Sequence, residues 1–167
     1  MLSMDTLYIE TSIVSHATAR LSSDIQVAAV QQQARDWWAT ERHKFDLVTS
    51  QLVIAEASAG DSSAAADRLK LLEGLPLVPI DDNAENLAEI MLSASLMQQK
   101  AAADALHVAA TAVGGVKYLL TQNCRRIANA HVLPRVYQVL RDEGYGQLLI
   151  CTPAEFLGGD DDKESYT

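Results

Sequence analysis

Cysteine, long apolar runs and positive charge are all scarce in this chain, and each scarcity removes a class of protein. Cys124 and Cys151 are the only cysteines among 167 residues, and they lack the paired spacing of a zinc site or a disulfide framework. A reducing, cytoplasmic setting is therefore expected. No stretch approaches the roughly 20 apolar residues that a membrane-crossing helix needs. The opening MLSMDTLYIE has no basic segment leading into an apolar one, so neither membrane insertion nor secretion is expected. Lys and Arg number 13 against 22 Asp and Glu, a net charge of −9. Bulk charge thus repels a nucleic-acid backbone, and any polyanion has to be held by local donors.

What is present is the composition of a globular domain, 49% hydrophobic and 21% charged. A chain of this length buries roughly 70% of the surface that its unfolded form exposes. There is no internal repeat and no linker long enough to separate domains. Residues 1–157 read as one domain, and 158–167, GGDDDKESYT, as a disordered acidic tail.

Apolar periodicity predicts alternating strands and helices. TLYI is the first strand. Asp24 caps a helix running to about Arg42, with Val27, Val30, Ala34, Trp37 and Trp38 on its inner face. DLVTS is a second strand, followed by a short helix closed at Gly60 and another from Ser62 to Glu73. LPLVPI is an edge strand, because Pro76 and Pro79 cannot donate to a ladder. A long helix begins at Asn83 and carries Leu87, Ile90, Met91 and Ala94; KAAADALHVAATAV is a further helix stopped by Gly114 and Gly115. VKYLLT is a strand, RRIANA a short turn of helix, Leu133 to Leu140 a helix, and QLLIC the last strand. Together these predict a three-layer α/β/α sandwich around a central, mostly parallel sheet.

In such sheets ligands bind beyond the carboxyl ends of the strands. Glu10 ends the first strand there, and Thr121 to Asn123 emerge at the same edge. Helices antiparallel to the strands place Asp104 and Glu56 there too. Three clustered carboxylates repel unless a cation compensates, and a hard divalent ion suits oxygen ligands. Asn123 and the hydroxyls of Ser12 and Thr121 can add neutral oxygens or orient bound water. Each position also has a plainer reading. Glu10 can cap a helix starting near Ser12, Glu56 can lie on a solvated face, Asp104 can serve its helix electrostatically, and Asn123 can be a turn residue. His107, three residues after Asp104, has no second histidine at zinc spacing and reads as a packed or hydrogen-bonded core residue. No phosphate loop follows Cys124, which argues against a thiol catalyst.

The stretches YIETSIVS, TSQLVIAEASAG, AAADALHVAATAVGGVKYLLTQN and NCRRIANA, in this order and spacing, resemble the PIN-domain family and within it the VapC-like ribonuclease toxins of bacterial toxin-antitoxin pairs. The resemblance implies an acidic site that holds Mg2+ or Mn2+ and hydrolyses RNA phosphodiester bonds. The family's acidic ligands fall on Glu10, Glu56 and Asp104, with Asn123 at the variable fourth place, and Thr121 or Ser12 positioning the attacking water. Arg125 and Arg126 are the first choice for RNA contacts, with Lys100 and Lys117 behind them. A cognate antitoxin and a homodimer are implied by the same kinship. Two departures stand out: Glu10 replaces the commoner Asp, and Asn123 replaces an acid, so one strong ion site at most is expected. The competing expectation is a PIN-like binding module that has lost turnover and acts through a protein partner.

Overall fold

Five strands form one sheet in the order β3-β2-β1-β4-β5, with every neighbouring pair parallel. They are β1 (Asp5–Ile9), β2 (Phe45–Ser50), β3 (Leu77–Val78), β4 (Tyr118–Leu120) and β5 (Leu149–Cys151). The computed structural model describes residues 3–94 and 101–158. Lys100 and the acidic run from residue 159 onward lie outside these. Seven α-helices accompany the sheet among the described residues: α1 (Thr11–Thr18), α2 (Ile25–Thr40), α3 (Gln51–Ala57), α4 (Ser62–Leu72), α5 (Asp82–Ser93), α6 (Ala102–Val113) and α7 (Leu133–Asp142). The expected α/β/α sandwich is thus the observed fold, with the sheet parallel throughout.

The central strand shows why. Leu7, Tyr8 and Ile9 of β1 are all fully buried, as a strand covered on both faces must be. Helix starts follow side-chain caps: Asp24 Oδ1 accepts from the Gln26 and Val27 amides, and Asp61 and Asp81 cap α4 and α5 in the same way. Each such cap is worth about 1 kcal/mol. Gly60, after α3, has φ +85, and Gly115, after α6, has φ +69, a left-handed backbone that glycine adopts without a Cβ clash.

At the amino end of the sheet, Phe45 and Tyr118, which begin β2 and β4, pack edge-on against Phe156, with ring centres 5.4 and 5.6 Å away. Trp37 stacks on Phe45 at 6.0 Å. That end is sealed by aromatic rings. The polar groups that end the strands gather at the opposite, carboxyl edge.

Three details differ from the periodicity. Val27 is 40% exposed, and the buried face of α2 is Gln31, Ala34 and Trp37. Gln31 tolerates burial because its amide bonds the Ser22 N–H and the Arg20 carbonyl, tying down the segment between α1 and α2. Ile90 also faces partly outward, leaving Ala84, Leu87, Ala88 and Met91 as the buried face of α5. RRIANA forms no helix. The amides of Ile127 and Ala128 both return to the Asn123 carbonyl, and the Asn123 side chain accepts from the Arg126 amide, which makes a closed turn.

Candidate functional site

The β1 and β4 ladder runs up to Glu10, whose amide still bonds the Leu120 carbonyl at 3.2 Å. One residue later the chain becomes helical, and Glu10 is the N-cap of α1. Its Oε2 accepts from the Ser12 amide at 2.8 Å, from the Ser12 hydroxyl, and from the Thr121 hydroxyl at 3.0 Å. The cap reading and the site reading of Glu10 are therefore compatible. The residue is only 5% exposed. Burial pushes its carboxyl above the usual range, opposed by the His107 charge and by the bonds from Ser12 and Thr121.

Thr121, fully buried, joins this carboxylate to the next group along the rim. Its Oγ1 also accepts from the Asn123 amide at 2.9 Å, and the Asn123 side-chain amide reaches Asp104 Oδ1 at 3.4 Å. Asp104 lies in the first turn of α6 and is buried. Its Oδ2 has no hydrogen-bond donor, since Arg126 Nη1 stands 3.7 Å away, beyond bonding distance. Burial raises the Asp104 carboxyl, the Arg126 and His107 charges lower it, and the charge of nearby Glu56 raises it. Ser12 and Thr121 spend their hydroxyl hydrogens on Glu10, and Ser12 Oγ also accepts from the Gln122 amide.

Glu56 sits in the second turn of α3, its side chain about one-third exposed. Oε1 accepts from Thr11 Oγ1 at 2.6 Å and from His107 Nε2 at 2.6 Å. Burial acts to raise its carboxyl, yet these two bonds and the His107 charge outweigh it and hold the group below the usual range. His107 Nδ1 meets the Tyr8 hydroxyl at 2.7 Å, and that hydroxyl meets Ser50 Oγ at 2.7 Å.

The fold thus brings Glu10, Ser12, Glu56, Asp104, Thr121 and Asn123 to one rim, where hydrogen bonds link them in two groups. Glu10, Ser12, Thr121, Asn123 and Asp104 form one; Thr11, Glu56, His107, Tyr8 and Ser50 form the other. Among the described residues, no three His, Cys, Asp or Glu side chains draw together into a metal-holding group. The basic candidates divide. Arg126 faces Asp104, and Arg125 is exposed on the same turn. Lys117 pairs with Asp5 at 2.9 Å, at the amino ends of β4 and β1 and so on the far side of the sheet. The sequence reading does not place Thr11 or the Tyr8–His107 pair in the site. Tyr8 did carry a signal, because in a strand it shares a face with Glu10 two residues on.

A family model described as the PIN domain matches residues 7–130, which include every one of these site residues. No curated protein matches the chain. Among solved structures, it is similar to a member of the VapBC family of toxin-antitoxin systems, VapBC-5, from Mycobacterium tuberculosis. The two share 19% identity over 88% of this chain and 98% of the other, with a TM-score of 0.47.

Proposed function

The chain belongs to the PIN-domain family, and on that premise we propose that it is an endoribonuclease dependent on Mg2+ or Mn2+, the toxin of a type II toxin-antitoxin pair. The observation that carries this reading is the buried Asp104 Oδ2, an acceptor without a donor, on a rim that also holds the buried Glu10 carboxylate. A buried carboxylate oxygen that lacks a hydrogen-bond donor, with only the Arg126 guanidinium at 3.7 Å as an ion-pair partner among the described residues, costs free energy that a cation would recover. The donor set is all oxygen, which suits a hard divalent ion. The donor chemistry of these residues suits the ion, although among the described residues they are not drawn together into a ready cluster: Glu10 and Asp104 would hold it, with Glu56 contributing the oxygen that its bonds to Thr11 and His107 leave free.

Such an ion supplies Lewis-acid polarisation of a phosphate and a bound water of lowered pKa. The chain supplies the rest. Arg126 and Arg125 offer the local positive charge that the acidic surface lacks, and a phosphate seated beside Asp104 would meet the Arg126 guanidinium. Thr121 and Ser12 hold the Glu10 carboxylate through Oε2, which would leave its other oxygen for the ion. Antitoxin and homodimer belong to the same proposal, supported by the likeness of the four site-bearing stretches to VapC-like toxins.

A second reading, a PIN-like binding module without turnover, draws on Arg126 beside Asp104 and on the absence of a ready three-ligand cluster among the described residues. One assay separates the two. Pure protein is incubated with RNA, with Mn2+ or with chelator, beside Asp104→Asn and Glu56→Gln. The nuclease reading expects cleavage by the native chain with Mn2+ only and its loss in both variants. Equal cleavage by all three would identify a contaminant and remove this site from the chemistry, and no cleavage by any would favour the binding module.

A further inference from the structure

We propose that His107, anchored by Tyr8, is a positioning residue that clamps one oxygen of Glu56 and so presents the other to a divalent cation. The inference rests on the reading of Glu56 as a cation ligand. His107 is fully buried, and both ring nitrogens are bonded. A carboxylate only accepts, so Nε2 carries a proton and donates it to Glu56 Oε1. Thr11 donates to the same atom, so that Oε1 takes two short bonds of 2.6 Å. Oε2 is then the oxygen left for an ion, and Glu56 would bind through one atom.

The anchor behind the imidazole is equally specific. Tyr8 meets Nδ1 at 2.7 Å with its ring edge-on to the imidazole, the centres 5.9 Å apart and the planes at 64°. Ser50 holds the Tyr8 hydroxyl, and Ser50 in turn caps α3, the helix that bears Glu56. Tyr8 is two residues from Glu10 on the central strand. The clamp therefore references Glu56 to the same rigid strand that places Glu10, although the two ligands come from different elements. An unclamped glutamate of this exposure samples several rotamers and has to lose them on binding an ion. Partners that orient ligands from behind typically change ion affinity by about 10- to 100-fold.

A merely structural histidine would lower stability and leave ion affinity alone, so the test reads affinity. Mn2+ binding is titrated by electron paramagnetic resonance on the native chain, His107→Phe, His107→Gln, Tyr8→Phe, Glu56→Gln and Asp104→Asn, with thermal unfolding alongside. His107→Phe is expected to weaken Mn2+ about tenfold, while His107→Gln, whose amide nitrogen can stand near Nε2, stays within about threefold of native. In a Glu56→Ala background, His107→Phe should cost nothing further, because there is no carboxylate left to clamp. Native affinity in His107→Phe, with Glu56→Gln weakened, would overturn the clamp and leave the cation site standing. Native affinity in both Glu56→Gln and Asp104→Asn would remove the cation site itself and the clamp with it. Should both His107 variants fail to fold, Tyr8→Phe decides: a several-fold loss supports the anchored clamp, and native affinity contradicts it.

Discussion

Glu10 meets two demands at once, capping α1 and standing as a buried charge at the rim. Its folded pKa is raised, so in the metal-free protein the folded state holds this proton more tightly than the unfolded chain does. Stability contributed by the neutral form is present below the unfolded value of about 4.3 and is lost as pH rises through the folded value. Glu10→Gln, which keeps an oxygen for Ser12 and Thr121, should therefore melt at a higher temperature than the native chain at pH 7. The gap should close as pH falls below about 4. Glu56, held below its usual range, works in the opposite direction, since its stabilisation is lost as pH falls through its own lowered value; both proteins carry it, so the comparison isolates Glu10. Thermal scans across pH check this, and a Gln variant less stable than native at pH 7 would contradict it. At this scale the placement of Glu10, Glu56 and Asp104 at the carboxyl edge was legible, because strand ends and helix starts follow from apolar periodicity, while their reading as ion ligands came largely from the family resemblance. The Tyr8–His107 bond was not, since 99 residues separate the pair and each reads locally as an ordinary core residue.

Among the elements, α3 is the one whose placement matters most, being short and carrying Glu56. Ser50 both caps it and bonds Tyr8. Ser50→Ala removes the cap and a buried partner together, at an expected cost of about 1–3 kcal/mol in stability. Denaturant unfolding measures that cost, and a change below about 0.5 kcal/mol would mean that neither bond matters. Strands and helices were legible almost throughout, because long periodic segments and capping residues such as Asp24 announce themselves. The turn after β4 was not: RRIANA has helical composition, but the Asn123 side chain and carbonyl capture the amides that would start a helix. Lys117 shows the other limit of reading along the chain. It is close to the site residues in sequence, yet a strand's length of parallel sheet puts it at the opposite end.

For the molecule as a whole, a net charge of −9 means that RNA, as the proposed substrate, has to be attracted at a local patch. Arg126→Ala should therefore weaken RNA binding and lower the slope of log affinity against log salt by about one contact's worth, near 0.7 for a single strand. An unchanged slope would place the RNA elsewhere. Mn2+ or Mg2+ should raise the melting temperature of the native chain, because an ion that binds only the folded state stabilises it by mass action. Asp104→Asn should lose that increment. No described helix is long and apolar enough to cross a membrane. The alternation of strands and helices foretold a mostly parallel sheet but not its order, because strand neighbours are chosen by tertiary packing. The most direct measurement is an anomalous difference map from a crystal soaked in Mn2+. One strong peak held by Glu10 and Asp104, with Glu56 beside it, is the predicted result. An ion bound elsewhere, or none at saturating Mn2+, would contradict a cation site at this rim.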